Sequence, residues 1–252
     1  MMAAAKTDET EFEEQLNAFQ ADVAMVTRCY FAMAAINHLA SQDVTLVGTL
    51  NEAPDFWNLV QTCHQTTLFI SLGRVFDSNG DVRFTLNKLV GAAGKDGGAI
   101  FAANRLADRK RRSSTNAHEW LEDYLEGIHV PTTKEIRALK KVSNRYRTMF
   151  EETYRPIRHK IYAHGLATRE EAVELFAETR IRELERIIRF LQRLGDGVWD
   201  LYWNGLNPLR RRPFPPMRAA QITDKLLGRG GTSDQEIIVE AVQKVMDQLG
   251  RR

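Results

Sequence analysis

Arg158 and His164 stand six positions apart in Tyr154-Arg155-Pro156-Ile157-Arg158-His159-Lys160-Ile161-Tyr162-Ala163-His164-Gly165, and their types and spacing point to chemistry on a phosphodiester. A neutral imidazole can take the proton of a ribose 2′-hydroxyl. An arginine fork can hold the phosphate and offset the charge that grows on it in a pentacoordinate state. Arg155, His159 and Lys160 can add phosphate contacts, and Tyr162 can stack on a base or hydrogen-bond the backbone. Such a reaction needs no metal and no cofactor. On a straight α-helix residues six apart lie about 120° from each other, so Arg158 and His164 converge only if the helix unwinds between them or two copies meet. Gly165 supplies a left-handed stop that favours unwinding. At four-residue spacing Arg158 shares a face with Tyr162, and Lys160 with His164.

Two plainer readings use the same residues. His164 continues the row of Ile157 and Ile161, as would a half-buried histidine whose positive ring complements a helix C-terminus. A metal site of His159 with His164, or of Cys63 with His64, is disfavoured, because residues five apart do not share a face of an α-helix and adjacent residues point apart.

The elements that must position the motif read as helices. Phe12, Leu16, Phe19, Val23, Val26, Tyr30 and Met33 recur in steps of three and four and predict a helix over about 9–40. A loop over 41–54 leads to a second helix over 55–76, apolar over a wide arc through Phe56, Leu59, Val60, Cys63, Phe69, Ile70, Leu72 and Phe76. Asp77-Ser78-Asn79-Gly80 stops it, and a short helix over 84–92 ends at Gly94, Gly97 and Gly98. Another short helix carries Arg109-Lys110-Arg111-Arg112, which is either a solvated face or a secondary RNA contact. A short segment around Trp120 and Tyr124 follows. Thr132 or Thr133 then opens a long helix that Pro156 should kink one turn before Arg158. Thr168 and Glu171 have capping-box spacing, and Ile181, Leu184, Ile188, Leu191, Leu194 and Val198 mark a last long helix to about 203. The expected fold is therefore all-α, an up-and-down bundle of four principal helices over 9–205. Residues 206–252 read as a Pro/Arg linker, including Arg210-Arg211-Arg212, and a helix over 233–249 that forms an appendage or a dimer contact.

Composition narrows the class. With 35 basic and 33 acidic residues the net charge is only +2, too mild to imply nucleic acid unless the charge is locally clustered. Two cysteines argue against a disulfide framework and a four-ligand zinc site. The first fifteen residues have no basic start, and no run reaches the roughly 18 apolar residues of a membrane span, so a soluble cytoplasmic protein is expected.

The segment Arg158-His159-Lys160-Ile161-Tyr162-Ala163-His164 resembles the signature of the HEPN superfamily (higher eukaryotes and prokaryotes nucleotide-binding), in which an arginine with a polar follower precedes a histidine by four to six intervening positions. Ala163-His164-Gly165 and the upstream Leu72-Gly73-Arg74-Val75-Phe76-Asp77 resemble more narrowly the AbiU branch, associated with abortive phage infection. The resemblance spans roughly residues 10 to 205. It implies an all-α bundle, usually a homodimer whose two motifs face one cleft, and in many members a metal-independent endoribonuclease of toxin–antitoxin or defence type. Others only bind nucleotides, RNA or partner proteins. It maps Arg158 and His164 onto the catalytic pair, with His164 as base and Arg158 as stabiliser. His159 falls at the assisting polar position as a possible acid, where asparagine or aspartate is more frequent. RNA as substrate and a nucleotidyltransferase-type antitoxin as partner follow from the same resemblance.

Overall fold

The three–four repeat near the N-terminus builds α1 (Asp8–Gln42), in which Phe12, Leu16, Phe19, Val23, Val26 and Tyr30 are all buried. The computed structural model describes residues 8–77, 82–208, 215–226 and 232–250, and every regular element among them is helical. After α1 come α2 (Val44–Asn51), α3 (Pro54–Phe76), α4 (Leu86–Ala93), α5 (Ala103–Ser113), α6 (Leu121–Glu126) and α7 (Thr133–Met149). A π-helical turn (Phe150–Tyr154), α8 (Arg155–Ile157) and a second π-helical turn (Arg158–Ala163) carry the motif. The chain closes with α9 (Arg169–Ala177), α10 (Ile181–Asn204), α11 (Ala219–Leu226) and α12 (Asp234–Gly250).

The all-α expectation holds, and the four principal helices are α1, α3, the run from α7 through Ala163, and α10. The loop expected over 41–54 is instead largely α2. Asp43 caps it, accepting from the N–H groups of Thr45 (2.8 Å) and Leu46 (3.2 Å), and two turns are too short to register as periodicity. Thr132 caps α7 and Thr168 caps α9, each in a reciprocal box with the glutamate three residues on. The second box opens a short helix, and α10 starts afresh at Ile181. The turn residues Ser78, Asn79 and Gly80 and the run Arg210 to Arg212 lie outside the described residues.

The chain divides into two compact units, each assembled from three separate stretches. In the first (residues 1–21, 74–152 and 190–212), Phe12 meets Phe101 edge-on at 5.7 Å and leans on Tyr202 at 4.9 Å, while Tyr146 stacks on Phe190 at 4.0 Å and Phe76 on Phe150 at 4.9 Å. Gly205, at φ +57, ends α10 where a Cβ would come within 2.8 Å of Leu106 and Ile128. In the second (residues 22–73, 153–189 and 213–252), Ile36, Leu46 and Met246 form a buried cluster flanked by Leu50, Trp57, Val242 and Leu249, so α12 packs on α2. Arg28 pairs with Asp234 at 2.6 Å.

By length and composition α1 is long and apolar enough to cross a membrane, with an 18-residue window of mean hydropathy 1.2. Its row from Phe12 to Tyr30 is buried within the fold. It is the only such helix among the described residues.

Candidate active site

Pro156 has no N–H to donate, and in an α-helix its ring would press on the carbonyl four residues back. The π turn Phe150–Tyr154 just before it widens the backbone and moves that carbonyl away, so the distortion expected at Pro156 takes the form of a widened helix. A second π turn covers Arg158–Ala163. Because π turns bond i to i+5, residues five apart come round toward one face. His159 and His164 accordingly meet, with ring centroids 4.5 Å apart and planes at 70°. The expectation that a five-residue separation keeps these imidazoles apart is thus corrected, since it assumed an α-helical repeat.

Gly165 forms the left-handed stop at φ +57, as its place after His164 suggests. The Lys160 carbonyl accepts from the N–H of Leu166 (2.6 Å) and of Ala167 (3.2 Å), six and seven residues on, where an α-helical bond spans about four. His164 sits between the wide turn and the stop, and it is exposed, as are Arg155, His159 and Lys160. The half-buried reading of His164 does not survive: Ile157 is fully buried and Ile161 partly so, but the row ends there.

Arg158 is half-buried and lies against Gly73 on α3. A Cβ on Gly73 would stand 2.7 Å from Arg158 Nε and 3.1 Å from its Cδ and Cγ, so only glycine leaves room for this side chain where it lies. Its Nε is buried and has no hydrogen-bond partner among the described residues. Gly73 was visible beforehand only as part of the AbiU-like segment. Nothing local in the sequence links it to an arginine so far along the chain. No hydrogen bond or ring contact joins Arg158 to His164 among the described residues; the contact made within the motif is between the two imidazoles.

Tyr162 is half-buried and stacks on Phe69 at 5.4 Å with ring planes at 12°, with Phe176 beside it at 6.5 Å. Burial pushes its phenol up to about 12, which keeps the hydroxyl a donor. One face of the ring is committed to packing, so the base-stacking expected of Tyr162 loses that face.

The basic run on α5, in the first unit, splits by role. Arg109 is buried, donating to Glu9 (3.0 Å) and to the Tyr202 carbonyl (3.0 Å), with its guanidinium 3.9 Å from the centre of the Tyr202 ring. Stranding a buried charge by removing its partner costs roughly 3–5 kcal/mol, so this arginine serves the core and presents no charge to RNA. Lys110 is held over Tyr124 and donates to Asn204 at 3.2 Å. Arg111 and Arg112 are exposed, paired with Asp108 (3.0 Å) and Glu9 (2.7 Å). Of the four residues expected to touch RNA here, Arg111 and Arg112 are exposed and Lys110 is partly covered.

Among the described residues no group of three or more His, Cys, Asp or Glu is arranged to hold a metal ion. The motif instead offers two exposed imidazoles beside a half-buried arginine, residue types suited to moving protons beside an anion. No curated protein and no solved structure matches the chain. The family model of AbiU2, a HEPN family, matches residues 9–221, a span holding the motif, Gly73 and all four principal helices, and the chain therefore belongs to the AbiU2 family of HEPN proteins.

Proposed function

We propose that this AbiU2 protein is a metal-independent endoribonuclease of an abortive-infection or toxin–antitoxin system, acting in the cytoplasm. The observation that carries the reading is the meeting of His159 with His164 at 4.5 Å on a widened, exposed helix end, directly after the half-buried Arg158. His164 takes the proton of the 2′-hydroxyl, whose oxygen forms a bond to phosphorus as the bond to the 5′-oxygen breaks. His159 returns a proton to that leaving oxygen, and Arg158 offsets the charge on the phosphorane. The products are a 2′,3′-cyclic phosphate and a 5′-hydroxyl. Arg155 and Lys160 hold the flanking backbone. A homodimer that sets two motifs on one cleft, and an antitoxin of nucleotidyltransferase type, belong to the same reading; mass in solution tests the first.

The test is cleavage of labelled single-stranded RNA in EDTA, with product ends analysed. Wild type should give cyclic-phosphate ends, and His164→Ala should lose about 10²–10⁴-fold in rate while keeping its helical spectrum, the usual contribution of a general base. A His164→Ala variant as fast as wild type sinks the assignment. RNA binding that weakens with salt and with Arg158→Ala, but never proceeds to product, would identify a non-catalytic RNA- or nucleotide-binding module instead.

A further inference from the structure

We infer that His159 and His164 together form a chelating site for a borderline divalent transition-metal ion of the zinc class, which the RNA chemistry does not use. A zinc–nitrogen bond of about 2.0–2.1 Å puts each imidazole centre about 3.2 Å from the ion, so two rings on one ion at about 90–110° have centres about 4.5–5.2 Å apart. The observed 4.5 Å falls in that window, at its right-angle end. The 70° between ring planes keeps the two rings from stacking face to face. Both side chains are exposed, so water can fill the remaining coordination positions.

Imidazole nitrogen selects zinc, nickel and copper ions over magnesium and calcium, which take oxygen ligands. The neighbouring cations Arg155, Arg158 and Lys160 oppose a divalent ion, and with only two protein ligands they keep the site in the micromolar range rather than that of a structural zinc. The wide turn makes the site possible: on an α-helical repeat the same residues would point about 140° apart. An ion there occupies the nitrogens that the proposed reaction needs, so blocking of cleavage rests on the function proposed above. The chelate itself rests only on the geometry.

The experiment is calorimetric titration of the untagged full chain with zinc chloride at neutral pH, run on wild type, His159→Ala, His164→Ala and the exposed-histidine control His118→Ala. Losing a second-shell partner of a metal ligand costs about 10–100-fold in affinity, so losing a ligand should cost at least about tenfold. Wild type and His118→Ala should take up one zinc ion per chain with equal affinity, and each motif variant should bind at least about tenfold more weakly. Equal affinity in all four proteins, or no uptake by wild type below about 1 mM, would overturn the site. Cleavage in EDTA is read separately, so an inactive protein that still binds zinc through both histidines defeats the nuclease reading alone, and an active one that ignores zinc defeats the chelate alone.

Discussion

At the scale of single residues, the placement of Arg158 turns on an absent methyl group. Gly73 lies within a helix, where alanine is intrinsically better by roughly 0.5–1 kcal/mol, so only the space it leaves gives glycine an advantage. In Gly73→Ala the new methyl would meet the arginine stem, a flexible side chain that can swing aside at little cost to the fold. The expected outcome is an unchanged or slightly higher melting temperature together with weaker RNA binding and slower cleavage. The two effects can be read on one preparation by thermal unfolding and the RNA assay. Unaltered cleavage would mean that the seat of Arg158 on α3 does not matter to its work. The same scale separates arginines that look alike in sequence: Arg109 is buried and bonded to Glu9 and the Tyr202 carbonyl, whereas Arg158 lies half-buried against Gly73.

At the scale of the element, the motif depends on how many residues make a turn. Pro156 accounts physically for the first wide turn, since a ring that clashes with an α-helical carbonyl is accommodated when that carbonyl is moved off. Replacing it by alanine restores an N–H and removes the ring that an α-helical carbonyl would meet. Pro156→Ala should then allow an α-helical ladder over 150–154, rotate everything after it about the helix axis, and lower cleavage by tenfold or more without loss of helicity. Circular dichroism and the RNA assay together check this, and a variant as active as wild type would show that the second wide turn forms independently of the first. The box at Thr168 and the stop at Gly165 are readable from sequence because each is a local pattern of a few residues, whereas the start of α7 is readable only to within Thr132 or Thr133. The helical period was not readable: the 3.6-residue template places His159 and His164 on different faces, and nothing in the composition of Arg158 to Ala163 announces a π turn.

At the scale of the whole molecule, buried phenols link stability to alkali. Burial pushes Tyr154 and Tyr162 up to about 12, and burial together with the carboxylates of Glu185 and Glu13 raises Tyr30 and Tyr202 further. A folded-state value above the ordinary 10 means the unfolded chain releases its phenolic protons first. Stability is then fully present below about pH 10 and is lost as pH rises toward 12. Unfolding midpoints measured from pH 8 to 12 should stay level to about 10 and then fall. The fall should be shallower in Tyr162→Phe, which has no proton to lose; a flat profile to pH 12 would contradict the burial of these rings.

The sequence by itself determined the all-α class, the four long helices, the capping box at Thr168, the glycine stop and the Arg158–His164 motif. Each of these is written in residues a few positions apart, within reach of a single turn. Tertiary structure decided which of the basic residues are spent inside, what occupies the space over Gly73, and that Tyr162 lies on Phe69. It also decided that α12 covers α2. Those outcomes depend on partners far along the chain, brought together only when apolar faces are buried, and periodicity carries no record of distant partners. The meeting of His159 and His164 lies between the two: its residues are neighbours in sequence, but the turn that joins them has a wider backbone period, which side-chain spacing alone does not reveal.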